Sequence, residues 1–203
     1  MLPERDLARA LDGIGTRTVH GYYSRFVEFR HLSKVGSFRA PNPKPLWGLG
    51  SKLYGGRFTP KGAFETIYLA EDPITAMVEV TGVFYSPPGP MSPAVQPPWV
   101  LITVEGILLQ ILDLTVAGVR SALGTNAQAL TGAWRHIQAT GQEAPTQTLG
   151  RFCHESDRFE AIRFPSSKSA PNGVCMAVFV DRLRSPSSLR VFDPHGRLAQ
   201  ELP

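Results

Sequence analysis

Long apolar runs are missing from this chain: no stretch of about 18 uninterrupted apolar residues occurs, so no membrane-spanning helix is expected. The opening Met1-Leu2-Pro3-Glu4-Arg5-Asp6 carries charge where a signal peptide needs a continuous apolar stretch, which predicts a cytoplasmic protein. Cysteine is scarce. Cys153 and Cys175 have no Cys-x-x-Cys neighbour and no histidine at a ligand spacing, which argues against a zinc site or a disulfide and for two small buried apolar groups. His20, His31, His136, His154 and His195 are scattered likewise, so no metal is expected. Neither sign of charge dominates: 21 basic and 17 acidic residues leave a net +4. That excess suits an anionic ligand, but no basic block with interleaved aromatics is present, and direct nucleic-acid binding is not expected. No Walker pattern surrounds Lys61-Gly62, no Gly-x-Ser-x-Gly elbow or Ser–His–Asp order appears, and there is no internal repeat.

What remains is a chain of 203 residues with 42% hydrophobic content, enough for one folded domain with a substantial core. Residues 4–12 predict a short helix ending at Gly13. The aromatic and branched run from Thr18 to Leu32 predicts a strand. Residues 36–51, with Pro41, Pro43, Pro45, Gly48 and Gly50, read as a long loop, and the proline-dense 86–98 as a surface loop. Val100–Val104 and Ile107–Leu112 read as two strands around Glu105-Gly106. Thr115 and Asn126 are candidate caps for helices over 116–123 and 127–139, and a further helix is expected over 146–155. Phe159–Phe164 and Val174–Val180 close the sheet, and the tail from Leu189 to Leu202 suggests a hairpin around Asp193-Pro194-His195-Gly196. The mixture indicates an α+β fold with a mainly antiparallel sheet and flanking helices.

Residues 54–80 carry the most functional information. They run as glycine-rich turn, short strand and capped helix, and they space Arg57, Tyr68 and Glu79 at equal intervals. Alternation over Glu65–Ala70 sends Ile67 and Leu69 to the core and leaves Thr66 and Tyr68 on the other face. Asp72 as N-cap and Pro73 at the first helical position start a helix. Ile74, Met77, Val78, Thr81 and Tyr85 fall along one apolar stripe, with Glu79 well off it, so Glu79 is either solvated or turned toward a cleft. A cation, an aromatic face and a carboxylate on adjoining elements suit an anionic ligand that bears an aromatic ring. Gly55 and Gly56 would let the backbone come close to such a ligand while the Arg57 guanidinium forks onto phosphate oxygens. Trp47 and Trp134 are candidates for the pocket wall, Trp134 more simply for the core.

The segments Tyr22-Tyr23-Ser24-Arg25, Gly55-Gly56-Arg57-Phe58, Tyr68-Leu69-Ala70, Ala76 to Glu79, Leu112-Asp113-Leu114 and Ala161-Ile162-Arg163-Phe164-Pro165-Ser166 together resemble the RES-domain family. The resemblance covers about residues 20–182, within a single domain over 1–203 whose residues 183–203 form a C-terminal extension. It implies an ADP-ribosyltransferase-like fold, a split and mainly antiparallel β core around an NAD cleft. It also implies a toxin of a toxin–antitoxin pair that consumes NAD as substrate, without a further cofactor. The partner implied is an Xre-type helix-turn-helix antitoxin, through which a homo-oligomer would assemble. Carried over by motif, the functional positions are Arg25, Arg57, Tyr68, Glu79 and Ser166.

These residue types suit cleavage of the nicotinamide–ribose bond on physical grounds. Nicotinamide on ribose is cationic and leaves neutral, so no acid need protonate it. The barrier lies in an oxocarbenium-like ribose, whose charge one carboxylate can stabilise. Glu79 is the expected carboxylate, Arg57 the pyrophosphate ligand, and Tyr68 the stacking face for nicotinamide. Arg25 takes the second phosphate or orients Glu79, and Ser166 bonds the ribose or Glu79. Water, phosphate or a protein side chain would each serve as acceptor, the last making a mono-ADP-ribosyltransferase. A catalytically silent interaction module on the same scaffold is the contrasting reading.

Overall fold

Strands β1 (Arg17–Glu28), β2 (Thr66–Ala70) and β3 (Trp99–Asp113) with β4 (Ala161–Pro165), β5 (Val174–Phe179), β6 (Ser188–Val191) and β7 (Glu201–Leu202) form one sheet. The computed structural model describes residues 1–32, 44–81, 98–169 and 171–203. The pairings run β1–β2–β5–β4–β3 and return to β1, with β6 and β7 added on β3. All are antiparallel except β3 with β4. That parallel pair needs a long crossover. It is made by α4 (Ala117–Ala122), α5 (Ala127–Thr131), α6 (Trp134–Ala139) and α7 (Pro145–Glu155). The expected α+β, mainly antiparallel architecture is what the chain forms.

The circuit has one weak seam. β1 faces β2 through Ser24 opposite Ala70 alone, whereas β1 and β3 pair along nearly their whole length. Beyond the seam the two strands part, and α3 (Pro73–Thr81) packs across β1, β2 and β5 at that gap. The sheet is therefore split at one place, and the split opens a cleft.

Alternation along the strands sorts the core into two layers. Met176 and Val178 of β5 join Ile67, Leu69, Leu108 and Ile111 on one side. Cys175, Ala177 and Phe179 join Phe58, Phe164, Leu149 and Cys153 on the other, where Tyr68 also packs. Both cysteines are buried free thiols, as their scarcity suggested, and burial raises the pKa of each. Asp113 at the end of β3 receives Arg17 at 2.5 Å and Arg163 at 3.2 Å, tying β1, β3 and β4 together.

The first helix, α1 (Glu4–Asp12), stops at Gly13 as expected, and the tail forms the β6–β7 hairpin. Five expectations need correction. Residues 99–113 are one strand, because Gly106 is a packing glycine and not a turn: a Cβ there would lie 2.9 Å from the Tyr23 ring. The helix expected over 127–139 breaks at Gly132 and Ala133 into α5 and α6. Asn126 does cap α5, accepting from Ala129 N at 2.8 Å, but Thr115 caps nothing and donates its hydroxyl to Asp113. The expected long loop already becomes helix at α2 (Leu49–Tyr54). Its residues 36–43 lie outside the described residues, as do Tyr85 and nearly all of the proline-rich 86–98.

The last correction concerns α3. Its apolar stripe does not face the core: Ile74 is 66% and Met77 44% exposed, while Thr75 and Ala76 are buried. Small side chains let the helix lie close to the sheet, where a Cβ on Gly173 would come within 2.8 Å of Thr75 Oγ1. The stripe and the seated face are thus different faces, and Glu79 travels with the seated one.

Helix α7 approaches the turn before β2 even more closely. A Cβ on Gly150 would lie 1.9 Å from the Phe58 carbonyl oxygen. In a free helix Gly→Ala stabilises by about 1 kcal/mol. Here Gly150→Ala is expected to destabilise the protein by about 1–3 kcal/mol, because backbone must move to admit a methyl group. Thermal denaturation checks the sign, and a melting temperature at or above that of the parent contradicts this packing.

Candidate active site

The cleft at the split has a volume of about 830 Å³, within the usual range for small-molecule sites. Arg25 from β1, Arg57 from the glycine turn, Tyr68 from β2 and Glu79 from α3 all line it. Ser166, 4% exposed, sits behind Glu79. The structure therefore brings the five expected residues to one place, though not all in the expected roles.

Glu79 is held by one oxygen. Its Oε1 accepts from Ser166 Oγ at 2.5 Å, from Ser167 N at 2.8 Å and from Ser167 Oγ at 3.4 Å. Among the described residues Oε2 has no hydrogen-bond partner. Ser166 Oγ in turn accepts from Lys168 N at 3.1 Å and Ser169 N at 2.9 Å, a local turn that fixes the hydroxyl after β4. Of the two partners expected for Ser166, the ribose and Glu79, the structure has Glu79. Ser166 positions the carboxylate.

Arg57 is more committed than the sequence suggested. Its Nη1 donates to Leu130 O at 2.7 Å and Gly132 O at 3.0 Å, carbonyls freed by the break between α5 and α6. Its Nη2 donates to Ser167 Oγ at 3.1 Å. Few donors are left for a ligand, so Arg57 supplies charge and shape more than an open fork. Burial lowers its pKa, and the negative charge of Glu79 opposes that shift. The two glycines before it also serve a different end. Gly55 has φ +82°, and a Cβ there would fall 2.0 Å from Gln138 Oε1; a Cβ on Gly56 would fall 2.4 Å from the Tyr68 hydroxyl. They admit neighbouring side chains, and both also line the cleft.

The Tyr68 hydroxyl accepts from Phe58 N at 2.9 Å and lies 3.0 Å from Thr59 Oγ1. Burial pushes its pKa up to about 12, so it stays a neutral phenol and offers the cleft its ring, not a proton. Arg25 donates from Nη2 to Trp47 O at 2.7 Å, while Nη1 is shut from solvent with no partner among the described residues. Burial holds its pKa down to about 10. An anion in the cleft would relieve that cost.

Sequence reasoning missed two residues here. Gln147 on α7 is 1% exposed, and its Nε2 faces Gly56 O at 3.1 Å, Thr59 O at 3.3 Å and Gln138 Oε1 at 2.7 Å. It bolts the Arg57 turn to α6 and α7. Its place in the first turn after Pro145 hints at a capping side chain, as its bond from Ala144 N confirms, but not at its reach across the chain. Arg135 also lines the cleft, with no sequence signal beyond its charge. Trp47 and Trp134 both line the wall, Trp134 only 8% exposed.

Tyr23 shares the upward shift of Tyr68, to about 12, again chiefly from burial. In the unfolded chain both phenols ionise near pH 10, so the unfolded state loses protons first and stability falls as pH rises from about 10 to 12. Chemical denaturation along that pH series is expected to show the fall, shallower in Tyr68→Phe. A flat profile contradicts the burial of these hydroxyls.

Comparison with known proteins bears on family and fold. The family model described as RES domain matches residues 34–200. A relative named NAD(+) phosphorylase MbcT, from Mycobacterium bovis, is 32% identical over 100 residues, 49% of this chain and 54% of the relative. The protein of the same name from Mycobacterium tuberculosis matches to the same extent. The chain thus spans about half the length of these curated relatives. A chain of the crystal structure of the M. tuberculosis MbcT–MbcA toxin–antitoxin complex superposes with a TM-score of 0.66 at 20% identity, covering 97% of this chain and 90% of that one. At that identity the likeness speaks for fold. With the family match running from before the glycine turn to the tail hairpin, the chain belongs to the RES domain family.

Proposed function

We propose that this chain is an NAD-cleaving enzyme acting as the toxin of a toxin–antitoxin pair. The observation that carries the reading is Glu79: a carboxylate anchored through Oε1 by Ser166 and Ser167, with Oε2 unpartnered among the described residues, in a cleft lined by Arg25, Arg57 and Tyr68. The relatives named NAD(+) phosphorylase support the same chemistry.

In this reading the cationic nicotinamide lies against the Tyr68 ring, and the pyrophosphate is drawn by the charges of Arg25 and Arg57. The bond from ribose C1′ to the nicotinamide nitrogen breaks, and its electron pair leaves with neutral nicotinamide. Glu79 Oε2 faces the positive charge that develops on the ribose. An oxygen nucleophile then closes on C1′. Phosphate gives ADP-ribose 1″-phosphate; water gives ADP-ribose and loses its proton to solvent or to Glu79.

An Xre-type helix-turn-helix antitoxin is the partner we infer, with any homo-oligomer forming through it. The exposed Ile74 and Met77 beside the cleft support a partner surface there. The chain acts in this reading as one domain.

The test follows nicotinamide released from NAD by antitoxin-free protein, with and without inorganic phosphate. Release is expected, and Glu79→Gln is expected to lower it by about 100-fold or more, in line with the loss of a transition-state charge partner. The substitution should leave the melting temperature nearly unchanged, since Glu79 packs at the cleft and not in the core. Absence of release under both conditions contradicts the proposal. Isotope from labelled NAD lodged in protein would instead identify an ADP-ribosyltransferase.

A further inference from the structure

An arginine of the cleft is left without a polar partner by the described residues around it. Among the described residues Arg135 has no hydrogen-bond or ion-pair partner, although it lines the same cleft as Glu79 and Arg57. It is also held in place. Its guanidinium carbon lies 4.4 Å from the centroid of the Trp134 ring, and that indole is itself buried. A cation over an aromatic face is oriented through its plane, without spending any N–H bond. All its edge donors therefore stay available, in the planar fork that matches two oxygens of a phosphate.

The other arginines of the cleft are spent differently. Arg57 uses both Nη1 hydrogens on carbonyls and one Nη2 hydrogen on Ser167, and Arg25 gives Nη2 to Trp47. The phosphate fork that the sequence suggests at Arg57 is thus physically more open at Arg135. Burial lowers the pKa of Arg135 and the charge of Glu79 opposes this, so the two groups feel one another across the cleft. A phosphate brought near the carboxylate needs such a counter-charge.

We infer that Arg135 is the principal phosphate-binding residue of the cleft, holding either the pyrophosphate of the dinucleotide or a free inorganic phosphate that attacks the ribose. The choice of substrate class rests on the activity proposed above.

Titration calorimetry on antitoxin-free protein tests it, with ADP-ribose as the pyrophosphate probe and inorganic phosphate as the acceptor probe. Arg135→Gln is expected to weaken at least one of them by about tenfold, the usual size of a lost charged hydrogen bond, and Arg135→Lys by less. Loss for ADP-ribose alone assigns the pyrophosphate; loss for phosphate alone assigns the acceptor. If Arg135→Gln does not melt with the parent, Arg135→Lys decides, since it keeps the charge but loses fork and stack. Weakening below about threefold for both probes, or no binding of either by the parent, overturns the inference. Because calorimetry needs no turnover, a parent that binds these anions but releases no nicotinamide would fail the activity reading and leave this one standing.

Discussion

The Phe58 carbonyl occupies the space that any side chain at position 150 would need, and the rest of the site depends on that contact. It brings α7 against the turn carrying Arg57, so Gln147 reaches Gly56 and Thr59 from within the protein. The same turn receives the Tyr68 hydroxyl through Phe58 N and Thr59 Oγ1, and Thr59 also bonds Thr66 at 2.8 Å. Two cleft residues are therefore fixed by one patch of packed backbone. The stabilising interactions are neutral hydrogen bonds in a buried place, where each unmade bond would cost about 1–3 kcal/mol.

The opposite wall is built by another route. α3 settles on its small residues Thr75 and Ala76, so its seated face carries Glu79 toward the turn after β4. That turn is organised by Ser166, whose oxygen gathers two backbone N–H groups before its own hydrogen goes to the carboxylate. Ser167 then joins both walls, donating to Glu79 and accepting from Arg57. Carboxylate and guanidinium are coupled through this serine, which keeps them near each other without letting them collapse into a direct ion pair among the described contacts.

Much of this was legible in the sequence because it rests on local rules. The alternation of Ile67 and Leu69 against Tyr68, the Asp72–Pro73 helix start and the closing hairpin follow from side-chain period and turn chemistry. Off the apolar stripe, Glu79 reads from sequence as either solvated or turned to a cleft, and the fold places it in the cleft wall. The reasoning behind it was incomplete, since the stripe itself is exposed and the seated face is set by close approach and not by hydropathy. Gly55, Gly56 and Gly106 show the same limit. A glycine announces that something comes near, but only the fold tells whether it is ligand, amide or aromatic ring. Gln147 and Arg135 escape such a reading: the backbone partners of Gln147 on the Arg57 turn lie far off in the chain, and Arg135 rests over the face of an adjoining indole.

The break between α5 and α6 has an effect beyond geometry. Among the described residues Arg57 is satisfied by peptide oxygens and a hydroxyl and makes no direct ion pair, and neither does Arg135. Among the described residues, Arg25 and Lys168 join them as cationic side chains lining the cleft, against the carboxylates of Glu28 and Glu79. A concave wall of this sign gathers field lines and draws polyanions from bulk solution before any contact forms. Capture should accordingly slow as added salt shortens the reach of that field.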